Sequence, residues 1–65
     1  MTGPDVNASI PEERRREIFR TLVEAQDRAV PVPESRAAVA RDFGVSESLV
    51  RSIEREGMDQ NWPPL

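Results

Sequence analysis

The chain contains neither cysteine nor histidine. Without cysteine there is no disulfide and no thiolate metal site, and the sequence carries no mark of redox compartment. Without histidine the usual general base is missing, and a zinc site would need carboxylates alone. Lysine is absent too: all nine basic residues are arginine. Arginine suits bidentate contact with phosphate and guanine, although a GC-rich genome enriches Arg, Ala, Val and Asp together with the same result. No apolar run nears the roughly 20 residues of a membrane span, and the N-terminus lacks the basic-then-apolar shape of a signal peptide. No glycine-rich phosphate loop is present, and so small a core leaves no room for a pocket beside it. These absences predict a soluble, cytoplasmic protein that is not an enzyme and takes no cofactor, metal or small molecule.

What is present fits one small domain. A chain of 65 residues buries only about 60% of the surface that its unfolded state exposes, so marginal stability is expected. The formal charge is -3, where a nucleic-acid binder usually shows a basic footprint.

Residues 1–8 are small and polar and read as a disordered lead-in. Ser9-Ile10-Pro11-Glu12 fits a capping box, with Pro11 tolerated in the first turn. The helix it opens is predicted to run to about Arg28, with an apolar stripe of Ile18, Phe19, Leu22, Val23 and Ala29. Glu12–Arg16 and Glu24–Arg28 are spaced as i,i+4 pairs on its opposite side. Ala29 to Pro33 is non-helical, because each proline pushes the preceding valine toward an extended conformation. A second helix is expected from Pro33 to about Phe43, ended by a left-handed Gly44. Ser46 caps a third, which runs to about Glu56 and stops at Gly57. Residues 58–65 form an irregular Trp/Pro tail. The domain is therefore 9–57, all-α. Its expected core is Ile18, Phe19, Leu22, Val23, Val39, Ala40, Phe43, Val45, Val50 and Ile53. Two short helices joined by a tight turn, backed by a third, make a homeodomain-like bundle containing a helix-turn-helix.

With Val50 and Ile53 facing inward, the period of about 100° per residue turns Ser48, Arg51, Ser52 and Arg55 outward. Arginine can donate twice to guanine, and serine can take base or phosphate. Ser46 and Glu47, at the start of the same helix, complete the candidate DNA-binding set; Glu47 also favours the positive end of the helix dipole. The blander alternative pairs Arg51 and Arg55 with Glu47, Glu54 or Glu56 on a solvated face. Leu49 falls at the edge of the core face and is expected to be buried. Arg14-Arg15-Arg16, interleaved with Glu12, Glu13 and Glu17, reads as a salt-laced surface. Trp62 has two readings: it folds over the core with Met58 and Leu65, or it anchors a protein partner.

The run V-A-x-x-F-G-V-S-x-x-x-V-R-x-I-E resembles the region-four helix-turn-helix of sigma factors. It is matched by Val39, Ala40, Phe43, Gly44, Val45, Ser46, Val50, Arg51, Ile53 and Glu54. Glu47, Leu49 and Ser52 stand where that family tends to be basic or amide-bearing. The stretch G-V-S-x-x-x-V-R-x-x-E-R-E-G-M is similar to the start of mercury-resistance-type (MerR-like) regulators. These resemblances cover about a third of the chain. They imply a bacterial regulator of transcription, with the position of Arg51 among its DNA-contacting residues.

Two functions from different classes follow. One is a helix-turn-helix protein that binds double-stranded DNA in the major groove, as a homodimer or as the DNA-reading subunit of a larger assembly. The other keeps the fold as a protein-interaction module, using the Trp62 tail and no DNA.

Overall fold

The computed structural model describes residues 10–64. The lead-in over 1–8, the expected capping residue Ser9 and the terminal Leu65 lie outside that range. Three helices form: α1, Glu12–Asp27; α2, Val32–Phe43; and α3, Glu47–Gln60. Each packs against the other two, and no strand occurs among the described residues. The chain is an all-α three-helix bundle.

The start of α1 differs from the capping box. Pro11 is the N-cap, and its carbonyl accepts from the amides of Arg14 and Arg15, each at 3.0 Å. Glu12 thus takes the first helical position, too early to reach back to a cap, and its carboxylate instead meets Arg16 at 2.8 Å. The second expected pair, Glu24–Arg28, makes no ion pair among the described residues.

Helix α2 opens one residue earlier than predicted, with Pro31 as N-cap and Val32 in the first turn ahead of Pro33. First-turn amides have no helical partner, so prolines on both sides of Val32 remove no helical hydrogen bond. The extended bias of a residue before proline yields to that turn. The first bond of α2 runs from the Ser35 amide to the Pro31 carbonyl at 2.9 Å.

All three helices end the same way. Ala29, Gly44 and Asn61 have φ of 67°, 69° and 59°. The next residue in each case donates back across the last turn: Val30 to Ala25 at 3.2 Å, Val45 to Ala40 at 2.9 Å, and Trp62 to Gly57 at 2.9 Å. This is the Schellman ending, in which a left-handed residue satisfies late carbonyls and an apolar residue follows. It corrects two expectations. Ala29 is exposed and does not join the apolar stripe, because the left-handed turn swings it away from the core. Gly57 does not stop α3, which continues to Gln60.

Gly57 lies inside the helix and is buried. A Cβ there would fall within 2.6 Å of Phe19 Cγ and closer still to other ring carbons. Glycine is present for close approach, with its φ in the ordinary helical range.

The core comprises Ile18, Phe19 and Leu22 from α1, Val39 and Ala40 from α2, Leu49, Val50 and Ile53 from α3, and Trp62. Val23, Phe43 and Val45 are only partly buried around it, together with Ile10. Trp62 is 4% exposed and meets Phe19 edge-on, with centroids 5.9 Å apart and planes at 80°. Met58, expected beside it, is 61% exposed. Once α3 extends past Gly57, Met58 is turned about 100° from that inward glycine.

Candidate nucleic-acid interface

The inward face of α3 is set by Leu49, Val50, Ile53 and Gly57, all buried. Rotation about the helix then places Ser48, Arg51, Ser52 and Arg55 on the side away from the core. All four are exposed, and they line one shallow depression. The grouping expected from helical period is therefore present in space.

Ser46 and Glu47 sit at the end of that face. The Ser46 hydroxyl accepts from the Leu49 amide at 3.0 Å, so it caps α3 and keeps its proton and one lone pair for other contacts. Glu47 is exposed in the first turn, where a carboxylate favours the positive end of the helix dipole.

Among the described residues, four arginines are engaged by carboxylates. Arg14 meets Glu17 at 3.0 Å and also lies over the Phe43 ring, 4.8 Å from its centroid. Arg16 meets Glu12 and lies 5.1 Å from the Trp62 centroid. Two further pairs join different helices. Arg15 donates from Nε and Nη2 to the two oxygens of Glu56, at 2.9 and 3.0 Å. Arg36 donates from Nε and Nη2 to Glu54 Oε1, at 2.9 and 2.7 Å. The Arg14-Arg15-Arg16 run is thus a salt-laced surface.

No ion pair engages Arg51 or Arg55 among the described residues. Of the carboxylates that the blander alternative offered them, Glu54 and Glu56 turn to arginines on other helices. The sequence had no local sign of this, because Arg15–Glu56 and Arg36–Glu54 are 41 and 18 residues apart. A partly buried polar relay backs the second pair. Gln26 Nε2 donates to Glu54 Oε2 and to Ser35 Oγ, each at 3.3 Å, and the fully buried Ser35 donates to the Val32 carbonyl at 2.8 Å.

Trp62, the candidate partner-binding residue, follows its packing alternative: at 4% exposure its ring has no free face for an incoming protein. Val32 and Met58 are the exposed large apolar residues among those described, and both border a depression shared with Arg51 and Arg55. Among the described residues no helix is long and apolar enough to cross a membrane. No protein-family model, curated protein or solved structure matches this chain.

Proposed function

We propose that this chain is a small DNA-binding protein of helix-turn-helix type that lays α3 in the major groove. The observation that carries the reading is the pair Arg51 and Arg55. They stand one turn apart, exposed and without a carboxylate partner among the described residues, on the side of α3 opposite the core. Charged guanidinium groups left without partners on a rigid helix are poised for the acceptor pair of guanine or for phosphate. Ser48 and Ser52 add short hydroxyls beside them, able to take base or phosphate. The left-handed Gly44 turn supports the same reading, since it joins α2 directly to the capped start of α3.

The net charge of -3 argues for weak binding by a lone copy, because two arginines neutralise few phosphates. A bacterial transcription regulator or a DNA-reading subunit gains the remaining contacts from a second copy or a partner protein.

The test is selection from random duplex DNA at low salt, followed by titration of variants on the selected site. Arg51→Ala should weaken binding by roughly 1–3 kcal/mol, the usual range for one good base contact. Arg14→Ala should do much less, since Arg14 is held by Glu17 and Phe43 on another helix. Equal affinity for wild type and Arg51→Ala would remove α3 from the interface.

A further inference from the structure

We propose that Arg36 is a positioning residue for α3: by holding the Glu54 carboxylate against α2, it keeps Arg51 unpaired and available to DNA. This rests on the DNA-binding reading above. The starting point is the charge on α3 itself, which carries Glu47, Glu54, Glu56 and Asp59 against only Arg51 and Arg55. Left to itself, such a helix pairs its arginines internally. Glu54 is three residues from Arg51, a spacing that places two side chains side by side on a helix.

The structure diverts that carboxylate. Two nitrogens of Arg36 bond Glu54 Oε1, and Gln26 bonds Oε2. The pair is largely shielded, with side-chain exposures of 29% for Arg36 and 15% for Glu54. Exchanging this shielded, forked contact for a single exposed one with Arg51 is unfavourable, because exposed pairs gain little over solvation. Glu47, four residues before Arg51, lies in the first turn, where the helix dipole already favours it.

The opposite flank supplies an internal control. Arg15 likewise holds its carboxylate through Nε and Nη2, here with one nitrogen on each oxygen of Glu56, but Glu56 neighbours Ser52 and Asp59 at helical spacing and not Arg51. Breaking either clamp loosens a cross-helix tie. Only the Arg36 clamp releases a carboxylate onto the candidate reading residue.

The experiment uses the full chain and four variants: Arg36→Gln, Glu54→Gln, the double variant and Arg15→Gln. Each is titrated with a duplex selected on the wild type. In parallel, the order of the Arg51 Nε–H group is measured by 15N NMR in the free protein. Arg36→Gln should weaken binding roughly fivefold, as expected for a freed carboxylate competing at an exposed site. Glu54→Gln should bind at least as tightly as wild type, and the double variant should return to within about twofold of Glu54→Gln. Arg15→Gln should stay within about twofold of wild type. Arg51 Nε–H should become more ordered in Arg36→Gln and relax again in the double variant.

A merely structural Arg36 would leave the double variant as weak as Arg36→Gln. A diffuse charge effect would give Glu54→Gln the same factor in both backgrounds. Either result overturns the proposal. Should the wild type select no duplex, the DNA-binding reading fails, and the NMR comparison still decides the clamp: unchanged Arg51 order on Arg36→Gln overturns it.

Discussion

Replacing Gly57 with alanine sets two known effects against each other. In an ordinary helix interior, Gly→Ala stabilises by about 1 kcal/mol, because alanine loses less backbone freedom on folding. At position 57, the new methyl would lie 2.6 Å from Phe19 Cγ and nearer still to other ring carbons, where carbon atoms normally rest about 3.5–4.0 Å apart. Phe19 must therefore shift by about 1 Å to regain ordinary contact. Its ring is fully buried and held edge-on against Trp62. Relief by rotating a free side chain is closed off, and overpacking of this kind costs typically 1–3 kcal/mol.

A conflict this close to the centre of the core belongs in the upper part of that range, so the steric term wins. Gly57→Ala should lose about 1–2 kcal/mol net. For a domain whose whole stability is on the order of 3–10 kcal/mol, this lowers Tm by roughly 5–15 °C. Thermal and urea melts followed by far-ultraviolet circular dichroism read the change. Phe19→Leu in the same background should recover part of the loss, while Phe19→Leu alone destabilises. A Gly57→Ala protein that melts above wild type would show that α3 does not approach α1 as described.

Ala29→Gly should raise Tm by a few degrees, because Ala29 holds a left-handed φ of 67° that costs a side-chain-bearing residue about 1 kcal/mol; an unchanged or lower Tm would count against that helix end. Trp62, 4% exposed, should emit at short wavelength and resist acrylamide quenching, and Trp62→Ala should cost about 3–5 kcal/mol; a red-shifted, freely quenched spectrum would contradict its place in the core. On a selected duplex, the logarithm of affinity for a single copy should fall with log salt at a slope no steeper than about -2, since two arginines displace few counterions. A much steeper slope would mean phosphate contacts made elsewhere on the surface.

Much of the bundle was legible because it depends on spacing between near neighbours in sequence. The inward stripes Ile18-Phe19-Leu22 and Val50-Ile53 follow the helical period, and Gly44 and Ser46 announce a helix end and a helix start by residue type alone. Residue type misleads at Ala29 and Gly57, where tertiary placement decides. Alanine is a helix former, yet it sits at the left-handed end of α1; glycine is a helix breaker, yet it sits inside α3 where an aromatic ring leaves no room for more. Asn61 takes the terminating role expected of Gly57. The same division runs through the candidate site. Period alone put Ser48, Arg51, Ser52 and Arg55 on one face, but whether the arginines are neutralised depends on Arg15 and Arg36, which arrive from other helices.

That dependence changes how the acidic composition bears on DNA binding. Judged in isolation, α3 is the most acidic of the three helices, with four carboxylates to two arginines, and net charge would discard it as a surface for a polyanion. The fold redistributes that charge. Glu54 and Glu56, on the two flanks of the buried stripe, are drawn toward α2 and α1 by arginines those helices supply. The carboxylates left on α3 are Glu47 in its first turn and Asp59 in its last, at the ends and not between Arg51 and Arg55. A patch of local positive potential can thus stand on a protein of negative total charge. In the proposed DNA-binding role, repulsion between the rest of the surface and a duplex would limit affinity and make binding orientation-dependent. Arg14 and Arg16, stacked on Phe43 and Trp62 and paired with their own carboxylates, contribute to the bundle. Of the nine arginines, Arg14, Arg15, Arg16 and Arg36 are held by carboxylates; Arg20, Arg28, Arg41, Arg51 and Arg55 are exposed with no ion pair among the described residues, and of these Arg51 and Arg55 alone share the outer face of α3.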